Sequence, residues 1–368
     1  MRLPLERIPL ARLVHAMESV RITLERLTQR MIPPHFAVLY EISGARNAQA
    51  VCTAAELGIA DVLAAGPRTG EEIAAQVDAH PDAIARLMRL LCSRGIFKST
   101  KDGYALTPMA DALRTDSPLS MRAMARLTGS PEHWEHWGHL VDTVRSGEPF
   151  VPKLRGMSLF EYMGTNPELG AVFNDAMTSV SNMAIAPTML AYDFRRFASV
   201  IDVGGGHGAF LAAILKQAPA ARGVLFDLPD VVAGAEPALR AAGVLPRCEI
   251  QSGSFFDGVP AGFDAYVLKT VVHDWPTNEA LRILRHVRAA IPAHGTLLLV
   301  EMVLPEGESP HPGKLLDLDM MVTNGGRERT AAEYGELLAL AGFRLTRTVP
   351  TMTPLTVVEA RPVEREQT

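Results

Sequence analysis

The stretch from residue 200 to residue 208, Val-Ile-Asp-Val-Gly-Gly-Gly-His-Gly, decides how this chain folds. Its apolar start predicts a buried strand, and its run of glycines lets the backbone turn tightly and approach a ligand closely. Apolar residues then recur at helical spacing, at Phe210, Leu211, Ile214 and Leu215. A helix that begins after such a turn points free N–H groups at whatever binds there. The stretch therefore predicts a strand–turn–helix that holds a cofactor.

The spacing of the glycines fits two classes of cofactor. Gly204, Gly206 and Ala209 match G-x-G-x-x-[GA], the fingerprint of dinucleotide-binding folds. The same loop, preceded by Asp202 and closed by Gly208, also matches the D-x-G-x-G-x-G pattern of enzymes that use S-adenosylmethionine (SAM). A structural turn without a ligand would use the same glycines, so the loop alone leaves these interpretations open.

Composition excludes several classes of protein. The chain has 368 residues and a formal net charge of −5, which does not indicate a dedicated nucleic-acid binder. Its three scattered cysteines are too few for a disulfide framework or a zinc knuckle, and they indicate a reducing compartment. No apolar run reaches membrane-spanning length, and charged residues interrupt the N-terminal segment where a signal peptide needs an apolar core. We therefore expect a cytoplasmic protein.

The apolar residues between positions 1 and 32 recur at nearly helical spacing, and Pro33-Pro34 would end such a helix. A helix with one apolar face must pack on something. The sequence leaves two partners open: the helix's own domain, or a second subunit that it reaches as an N-terminal arm.

Residues 45–110 follow the order of a winged helix. The predicted elements are a helix from Ala48 to Leu63, a second helix opened by the capping box Thr69-Gly70-Glu71-Glu72, and a third that begins at Pro81 and is ended by Gly95. Two strands follow, at 96–99 and 104–106, joined by an Asp-Gly turn. Three arginines of the third helix (Arg86, Arg89 and Arg94) could contact DNA phosphates. Acidic neighbours dilute their field, so we do not expect nucleic-acid binding.

Residues 116–190 are predicted to be helical and are rich in methionine and aromatic residues. Such side chains adapt to irregular apolar shapes, so this segment could wall a pocket for a flat apolar substrate, although a plain helical core is their commoner use. His133, His136 and His139 are spaced three residues apart, but no acidic partner is placed to orient them. We therefore expect no metal site here.

From residue 199 onward, strands and helices alternate, which predicts a parallel sheet with helices on both faces. The predicted strands are Ser199–Val203, Gly223–Asp227, Cys248–Gln251, Ala265–Lys269 and Thr296–Val303, and the helices between them lie near 207–217, 230–242 and 276–291. A helix near 331–341 precedes two strands, 343–349 and 354–360, whose short connection forces an antiparallel pair. The fold class is therefore α/β, with a Rossmann-like, mostly parallel sheet, a terminal antiparallel strand and a winged-helix region before it.

Residues suited to chemistry collect at the ends of the predicted strands, where ligands bind in open α/β sheets. Asp227 ends the second strand and can accept hydrogen bonds from ribose hydroxyls, and Phe255 follows the third and can stack on an adenine. The fourth strand leads into Lys269 and His273, and the fifth ends at Glu301. Five successive strand ends therefore carry groups suited to a nucleoside and a reaction.

Six segments carry a more specific resemblance. They are Val-Ile-Asp-Val-Gly-Gly-Gly-His-Gly (200–208), Leu-Phe-Asp-Leu-Pro (225–229), Gly-Ser-Phe-Phe-Asp (253–257), Leu-Lys-Thr-Val-Val-His-Asp-Trp (268–275), Leu-Val-Glu-Met-Val-Leu-Pro (299–305) and Gly-Gly-Arg-Glu-Arg-Thr (325–330). Together they resemble the successive motifs of SAM-dependent O-methyltransferases of the caffeic-acid and hydroxyindole type, over about residues 40–361.

The resemblance implies three regions and a homodimer. The regions are an N-terminal helix and winged-helix dimerisation domain (1–115), a helical connector that lines the substrate pocket (116–190) and a SAM-binding catalytic domain (191–368). The partner subunit would help to close the pocket around a small hydroxylated substrate. No nucleic acid, membrane or metal is implied.

The resemblance also assigns roles to single residues. Asp202, Gly204 and Gly206 are implied to bind the methionine part of SAM, or of its product S-adenosylhomocysteine. Asp227 would bind the ribose, with Leu228 beside it. Ser254 and Phe255 would bind the adenine, and Lys269 the edge of the sugar or base. His273 matches the catalytic base, flanked by Glu301 and Glu328, and Met177, Met320 and Asn324 match substrate contacts. Ser254 departs from the acidic residue common at its position, so adenine recognition should be weaker but intact, because a hydroxyl accepts without charge assistance.

A phenol has a pKa of ~10 and is a poor nucleophile until its proton leaves. Histidine has a pKa of ~6.5 and can accept that proton at neutral pH. We therefore expect His273 to remove the proton of a phenolic or enolic hydroxyl. A neighbouring carboxylate would orient the ring, and Asp274 and Trp275 are interpreted as helix-capping and packing residues. The alternatives are a histidine that only shapes the pocket, a nicotinamide-dependent oxidoreductase, a ligand-sensing winged-helix regulator, and an enzyme of this fold with a different reaction such as C-methylation.

Overall fold

The structure is a computed structural model that describes residues 10–363. Residues 1–9 of the predicted N-terminal helix and the charged tail beyond residue 363 lie outside the described residues. The described chain forms two compact units. One contains residues 23–139 and 159–183, and the other contains residues 10–22, 140–158 and 184–363.

The first half of the chain is mostly helical. Its elements are α1 (Leu10–Arg30), α2 (Pro34–Glu56), α3 (Ile59–Val62), α4 (Gly70–Gln76), α5 (Pro81–Ser93), β1 (Phe97–Thr100), β2 (Gly103–Leu106), α6 (Pro108–Asp111), α7 (Arg122–Gly129), α8 (Pro131–Gly138), α9 (Leu140–Ser146), α10 (Phe150–Arg155), α11 (Leu159–Thr165) and α12 (Pro167–Ala191). The predicted helix from Ala48 to Leu63 is wrong in its bounds. Helix α2 begins already at Pro34, and Gly58, with a φ of +67°, separates it from α3.

The predicted winged-helix order is present in α4, α5 and the hairpin of β1 and β2. Thr69 and Glu72 form the predicted capping box, in which the Glu72 N–H donates to Thr69 Oγ1 and the Thr69 N–H donates to Glu72 Oε2. Strands β1 and β2 pair antiparallel across the Asp102-Gly103 turn. The core of this region is formed by side chains that are almost completely buried: Ile73, Ile84, Met88, Leu91 and Phe97.

The second half alternates strands and helices. Its elements are β3 (Ser199–Val203), α13 (Ala209–Gln217), β4 (Arg222–Asp227), α14 (Pro229–Val232), α15 (Ala235–Ala241), β5 (Cys248–Ser252), β6 (Ala265–Lys269), α16 (Thr277–Ala290), β7 (Thr296–Leu304), α17 (Pro312–Thr323), β8 (Arg329–Thr330), α18 (Ala331–Leu340), β9 (Phe343–Pro350) and β10 (Leu355–Pro362). All seven predicted strands are found within two residues of their expected bounds. The helix predicted near 230–242 is divided into α14 and α15, and α17 had not been predicted.

The strands lie in the order β5-β4-β3-β6-β7-β10-β9, and the short strand β8 pairs with β7. Strands β3 to β7 are parallel, and β10 is antiparallel to both of its neighbours. The prediction of a mostly parallel sheet with a terminal antiparallel strand is confirmed, although β10 lies between β7 and β9 and not at the edge. The strand order reverses between β3 and β6, and ligands of open α/β sheets bind at the carboxyl ends of the strands at such a reversal.

The sheet is buried on both faces. Val200 packs in one apolar cluster with α13, and its neighbour Ile201 packs in the opposite cluster with α16 and α18. Alternate side chains of a strand point to opposite faces, so a continuous apolar run is what a sheet covered on both sides requires. Full burial of each such side chain stabilises the fold by about 1.5–3 kcal/mol. This packing fixes the strand ends on which the site is built.

Two further properties concern the described residues only. None of the helices between residues 10 and 363 has both the length and the apolarity to cross a membrane. Within the same range, no group of three or more histidine, cysteine or acidic side chains is arranged to hold a metal ion.

Candidate active site

The glycine loop after β3 leaves its backbone open to a ligand. Gly204 has a φ of +71°, and a Cβ there would lie 2.9 Å from the Val271 side chain. Gly206 has a φ of +59°, and nothing lies within 4 Å of where its Cβ would be. Side chains at these two positions would strain the turn or fill the open side. The loop ends at Gly208, which is the N-cap residue of α13, so the predicted strand–turn–helix is present.

Asp227 at the end of β4 holds this loop. Its Oδ2 accepts from the Gly206 N–H at 2.8 Å, and its Oδ1 accepts from the Leu228 N–H at 2.7 Å. Burial raises the pKa of Asp227, and the two N–H donors oppose that rise. Each carboxylate oxygen has a second lone pair, so Asp227 can still accept hydrogen bonds from a diol.

Asp202 is a buried carboxylate at the start of the loop. It is 1% exposed, and its Oδ2 has no hydrogen-bond partner among the described residues. Burial raises the pKa of Asp202 to about 7, and the positive charge of Lys269 opposes that rise. A buried polar atom without a partner is costly, so this oxygen fits a donor or a positive charge supplied by a ligand.

Lys269 links the loop to the second half of the site. Burial lowers the pKa of its ammonium group, and the carboxylates of Asp202, Glu301 and Asp274 oppose that effect. Lys269 Nζ lies 3.4 Å from Thr270 Oγ1.

The loop after β5 contributes an aromatic wall. Ser254 Oγ accepts from the Phe256 N–H at 3.2 Å, so one of its lone pairs is already used by the backbone. Phe255 and Phe256 both make edge-to-face contacts with Trp275, with ring centroids 5.9 and 4.6 Å apart. This agrees with the interpretation of Trp275 as a packing residue.

His273 lies in a 3₁₀ turn (Val272–Asp274) that follows β6. It is 7% exposed, and its Nδ1 lies 2.6 Å from Oε1 of Glu328, which is itself buried. Its other nitrogen, Nε2, lies 3.4 Å from Asp274 Oδ1. Asp274 does not cap a helix, since the N-cap of α16 is Pro276, so that interpretation is wrong. A short hydrogen bond at Nδ1 fixes the ring and leaves Nε2 as the atom that can exchange a proton.

Glu301 fixes the turn that carries His273. It lies on β7, is completely buried, and its Oε1 accepts from the N–H groups of Val271 and Val272 at 3.1 and 2.9 Å. Its other oxygen, Oε2, has no hydrogen-bond partner among the described residues. Glu301 therefore acts on the backbone of the turn, whereas Glu328 acts on the imidazole itself.

The Gly-Gly-Arg-Glu-Arg-Thr segment packs directly against His273. The Arg327 N–H donates to the backbone oxygen of His273 at 2.7 Å, and a Cβ on Gly326 would lie 2.2 Å from the same oxygen. The Glu328 N–H donates to Asp317 Oδ1 on α17 at 2.8 Å. Asp317 was missed by the sequence analysis, because α17 was not predicted and no motif includes it.

The electrostatics of this cluster favour a bound proton. Burial lowers the pKa of His273, but the carboxylates of Asp274, Glu301 and Glu328 outweigh burial and raise it to about 10. Burial raises the pKa of Glu301 to about 7 and also raises that of Asp274. The cluster therefore stabilises an imidazolium ion, which is the product of proton transfer to the ring.

The residues expected to contact substrate are divided between the two compact units. Met320 and Asn324 end α17 in the unit that contains His273, and Asn324 Oδ1 is buried without a hydrogen-bond partner among the described residues. Met177 lies on the part of α12 that belongs to the other unit and is 40% exposed. The structure thus brings every predicted residue except Met177 into one unit.

Comparison with known proteins identifies two domains. Residues 137–344 match the family described as the O-methyltransferase domain, and residues 41–116 match the O-methyltransferase dimerisation domain. The chain is 43% identical to phenazine O-methyltransferase PhzM of Lysobacter antibioticus, over 90% of this chain and 97% of that protein.

Two further proteins similar to this chain have names that state what they bind or methylate. The chain resembles the crystal structure of the neocarzinostatin biosynthesis O-methyltransferase NcsB1 with SAM and 2-hydroxy-5-methyl naphthoic acid, with a TM-score of 0.74 and 33% identity over 86% of this chain and 96% of that one. It is also 36% identical to the 8-amino-8-demethylriboflavin N,N-dimethyltransferase of Streptomyces davaonensis, over 83% of this chain and 89% of that protein.

Proposed function

Since this chain belongs to the O-methyltransferase family, we propose that it transfers the methyl group of SAM to a phenolic or enolic hydroxyl of a small aromatic or polyketide-like metabolite. SAM-dependent O-methyl transfer follows from the family; the acceptor class and the roles of single residues are the proposed part. The observation that carries the proposal is the buried pair of His273 Nδ1 and Glu328 Oε1, 2.6 Å apart.

The chemistry demands a deprotonated acceptor in a fixed position. When bound, SAM supplies a methyl group that its sulfonium sulfur already activates. A phenol with a pKa near ~10 is a poor nucleophile until its proton leaves. The reacting atoms must also approach in line to about 3 Å. The protein therefore has to accept one proton and to orient two ligands.

His273 is suited to accept that proton at Nε2. Its Nδ1 is held by Glu328, so the ring presents Nε2 in one orientation, as in a histidine–carboxylate pair of a catalytic triad. The surrounding carboxylates raise the pKa of His273 to about 10, so the ring acts as a base in the fraction of the protein in which it is unprotonated. In that fraction the raised pKa makes the ring a stronger base toward the phenol, so proton transfer to Nε2 is nearly balanced.

The loop geometry supports the proposed cofactor contacts. An open backbone at Gly204 and Gly206 and the unpartnered Oδ2 of Asp202 fit the charged methionine part of SAM. The remaining proposed contacts are Asp227 and Leu228 for the ribose, Ser254 and Phe255 for the adenine, and Lys269 for the edge of the nucleoside. Leu228 is half exposed, which leaves its side chain available to a ligand.

The acceptor would lie against the end of α17. The unpartnered Oδ1 of Asn324 is an acceptor for a substrate donor, and the Met320 side chain offers an adaptable apolar contact. Met177 is proposed as a further substrate contact. NcsB1 binds a hydroxylated naphthoic acid in its crystal structure, so fused aromatic hydroxyls are the first acceptors to test.

The dimerisation domain supports a homodimer, and we propose that the partner subunit completes the acceptor pocket. Functionally, residues 1–115 would serve dimerisation, 116–190 the acceptor and 191–368 the cofactor and chemistry. A reducing, cytoplasmic compartment is proposed from the few and scattered cysteines of the sequence.

The replacement His273→Ala tests the base. With a phenolic acceptor, kcat should fall by about 10²–10⁴ while binding of S-adenosylhomocysteine, measured by calorimetry, stays within twofold of the original protein. His294→Ala is the matched control, because that imidazole is largely exposed and lies next to Asp264. A loss of kcat below about threefold in His273→Ala would remove the base from the mechanism.

A nitrogen acceptor is a second candidate, because one relative is named as an N,N-dimethyltransferase. An aromatic amine carries a free lone pair at neutral pH and needs no base before methylation. Transfer of labelled methyl from SAM to a panel of hydroxylated and aminated aromatics distinguishes the two. Labelling of amines alone, with little effect of His273→Ala, would favour the second candidate.

A further inference from the structure

Helix α17 carries an acidic residue whose presence helix formation does not explain. Asp317 lies in the middle of α17 (Pro312–Thr323), where aspartate is a weaker helix former than alanine or leucine. It does not cap the helix, because the N-cap residue is His311, whose ring nitrogen Nδ1 accepts from the Gly313 N–H. The half-buried carboxylate of Asp317 therefore has to be explained by what it contacts outside its own helix.

Asp317 contacts the backbone of the residue that holds the imidazole. Its Oδ1 accepts from the Glu328 N–H at 2.8 Å, and Glu328 Oε1 lies 2.6 Å from His273 Nδ1. One residue earlier, the Arg327 N–H donates to the backbone oxygen of His273 at 2.7 Å. A path of two hydrogen bonds therefore runs from α17 through Glu328 to the imidazole, and a third bond joins the same segment to the backbone of His273.

The same helix carries two of the proposed acceptor contacts. Asp317, Met320 and Asn324 follow one another at intervals of three and four residues, which places them on one face of α17 and its C-cap. This face is turned inward, since Met320 is 8% exposed and Asn324 Oδ1 is buried without a hydrogen-bond partner among the described residues. A shift of this face would therefore move the acceptor contacts and the Asp317 carboxylate together.

The chain between α17 and Glu328 is short and closely held. The N–H groups of Asn324 and Gly325 both donate to the backbone oxygen of Met320, at 3.0 and 2.9 Å, and Gly325 ends the helix with a φ of +72°. Only three residues separate Asn324 from Glu328. The hydrogen bond from the Glu328 N–H to Asp317 closes this return onto the helix, so α17 and Glu328 form one structural piece.

We propose that Asp317 is a positioning residue that couples acceptor binding to the base, because it ties the helix that contacts the acceptor to the carboxylate that orients His273. An acceptor seated against Met320 and Asn324 fixes the position of α17. Through Asp317, the helix then fixes the backbone of Glu328, whose carboxylate holds the imidazole. The inference rests on the proposed roles of the His273–Glu328 pair and of the two acceptor contacts.

Asp317→Ala should loosen Glu328 while every proposed ligand contact remains. A displacement of catalytic groups by about 1 Å can lower a rate by about 10², so kcat with a phenolic acceptor should fall about 10- to 100-fold. The KM for the acceptor should change less than kcat, since Met320 and Asn324 are still present. Asp317→Asn keeps an Oδ1 that can accept from the same N–H, so it should restore most of the lost kcat.

Asp264→Ala is the matched control. Asp264 also anchors the backbone with its carboxylate, since its Oδ2 accepts from the N–H groups of Ala198 and Ser199 at 2.9 and 3.0 Å. It lies directly before β6, at the end of that strand opposite to the turn that carries His273. Its loss should lower the Tm and retain kcat. An equal fall of kcat in Asp264→Ala and Asp317→Ala would show a general effect of stability and would contradict the proposal.

The coupling itself is measured by combining Asp317→Ala with Asn324→Ala. If the acceptor contact acts on the base through Asp317, the double variant should lose less kcat than the product of the two single losses, because the second replacement then breaks a path that is already broken. Single losses that multiply in full would show two independent effects and would overturn the coupling.

A second readout needs no acceptor, so it separates this inference from the proposed base. The proton between His273 Nδ1 and Glu328 lies in a short imidazole–carboxylate hydrogen bond, and such a proton gives a downfield NMR signal that is protected from exchange with water. In the full-length protein, His273→Gln assigns this signal. Asp317→Ala should lose it to exchange, whereas Asp317→Asn and Asp264→Ala should retain it.

The outcomes distinguish the two proposals. Loss of the signal in Asp317→Ala, with a kcat that does not respond to His273→Ala, supports the positioning role and contradicts the base. A retained signal in folded Asp317→Ala overturns the inference, and so does an unchanged kcat in that variant when kcat does depend on His273. If Asp317→Ala does not fold, Asp317→Glu keeps the charge and moves the accepting oxygens by one methylene group. It should lower kcat in the same direction, and an unchanged signal and kcat would equally overturn the proposal.

Discussion

Removal of the charge of Glu328 by the replacement Glu328→Gln should change the pH dependence of methyl transfer in a defined direction. Glu328 Oε1 and His273 Nδ1 are 2.6 Å apart, and both side chains are buried. With their charge centres about 4 Å apart and an effective dielectric constant of about 20, the interaction amounts to about 4 kcal/mol. This corresponds to about 3 pH units in the pKa of His273.

The expected shift is downward. The carboxylate stabilises the imidazolium ion, so its loss lowers the pKa of His273 from about 10 and moves the acidic limb of kcat/KM for the acceptor to lower pH. The plateau rate should fall by about 10², because a neutral amide orients the ring less well and stabilises the imidazolium less. Affinity for S-adenosylhomocysteine should stay within twofold, since the proposed cofactor contacts lie on other strands.

The assay is transfer of labelled methyl from SAM to a phenolic acceptor between pH 5 and pH 10. Glu333→Gln is the matched control: this nearby carboxylate caps α18 and pairs with Arg327 at 2.8 Å, but makes no contact with His273 in the described part of the chain. The control should lower stability and retain the pH limb. An acidic limb and plateau in Glu328→Gln equal to those of the original protein would refute the argument that Glu328 acts through His273.

Two further predictions follow from the packing and charge of the site. Gly326→Ala should lower kcat at least tenfold, because the new Cβ would lie 2.2 Å from the His273 backbone oxygen. Gly335→Ala is the control: it lies at an open helical position, so it should retain activity and stabilise the fold by about 0.5–1 kcal/mol. Equal activities of the two variants would contradict the prediction. The free energy of unfolding should fall as the pH rises from about 4.5 to about 7. Burial raises the pKa values of Asp202 and Glu301 to about 7, so both groups hold their protons more strongly in the folded protein than in the unfolded chain. The stabilisation that this gives at low pH is lost as the pH rises through those values. Urea unfolding at a series of pH values measures this, and Glu301→Gln should flatten the dependence by up to about 3 kcal/mol.

The sequence by itself determined the order of the elements and the identity of the fold. Short-range patterns encode these features: the apolar run and glycines at 200–208, the capping box at Thr69 and the strand–helix alternation all act within a few residues. These patterns did not predict the end of α2 at Gly58, because that end depends on a single backbone angle. They also did not predict α17, because its apolar and polar residues are not separated onto two faces of the helix. The resemblance of the motifs supplied the candidate residues, including Glu301 and Glu328.

Only the tertiary structure decided how those residues divide the work. Glu328 reaches the imidazole of His273 from 55 positions away, Glu301 reaches the backbone amides of its turn, and Asp317 holds Glu328 from an unpredicted helix. The raised pKa of His273 likewise depends on several distant charges brought into one buried interior. The physical reason is that hydrogen bonding and charge interactions depend on distance and burial in space, and neither quantity is present in the spacing of residues along the chain.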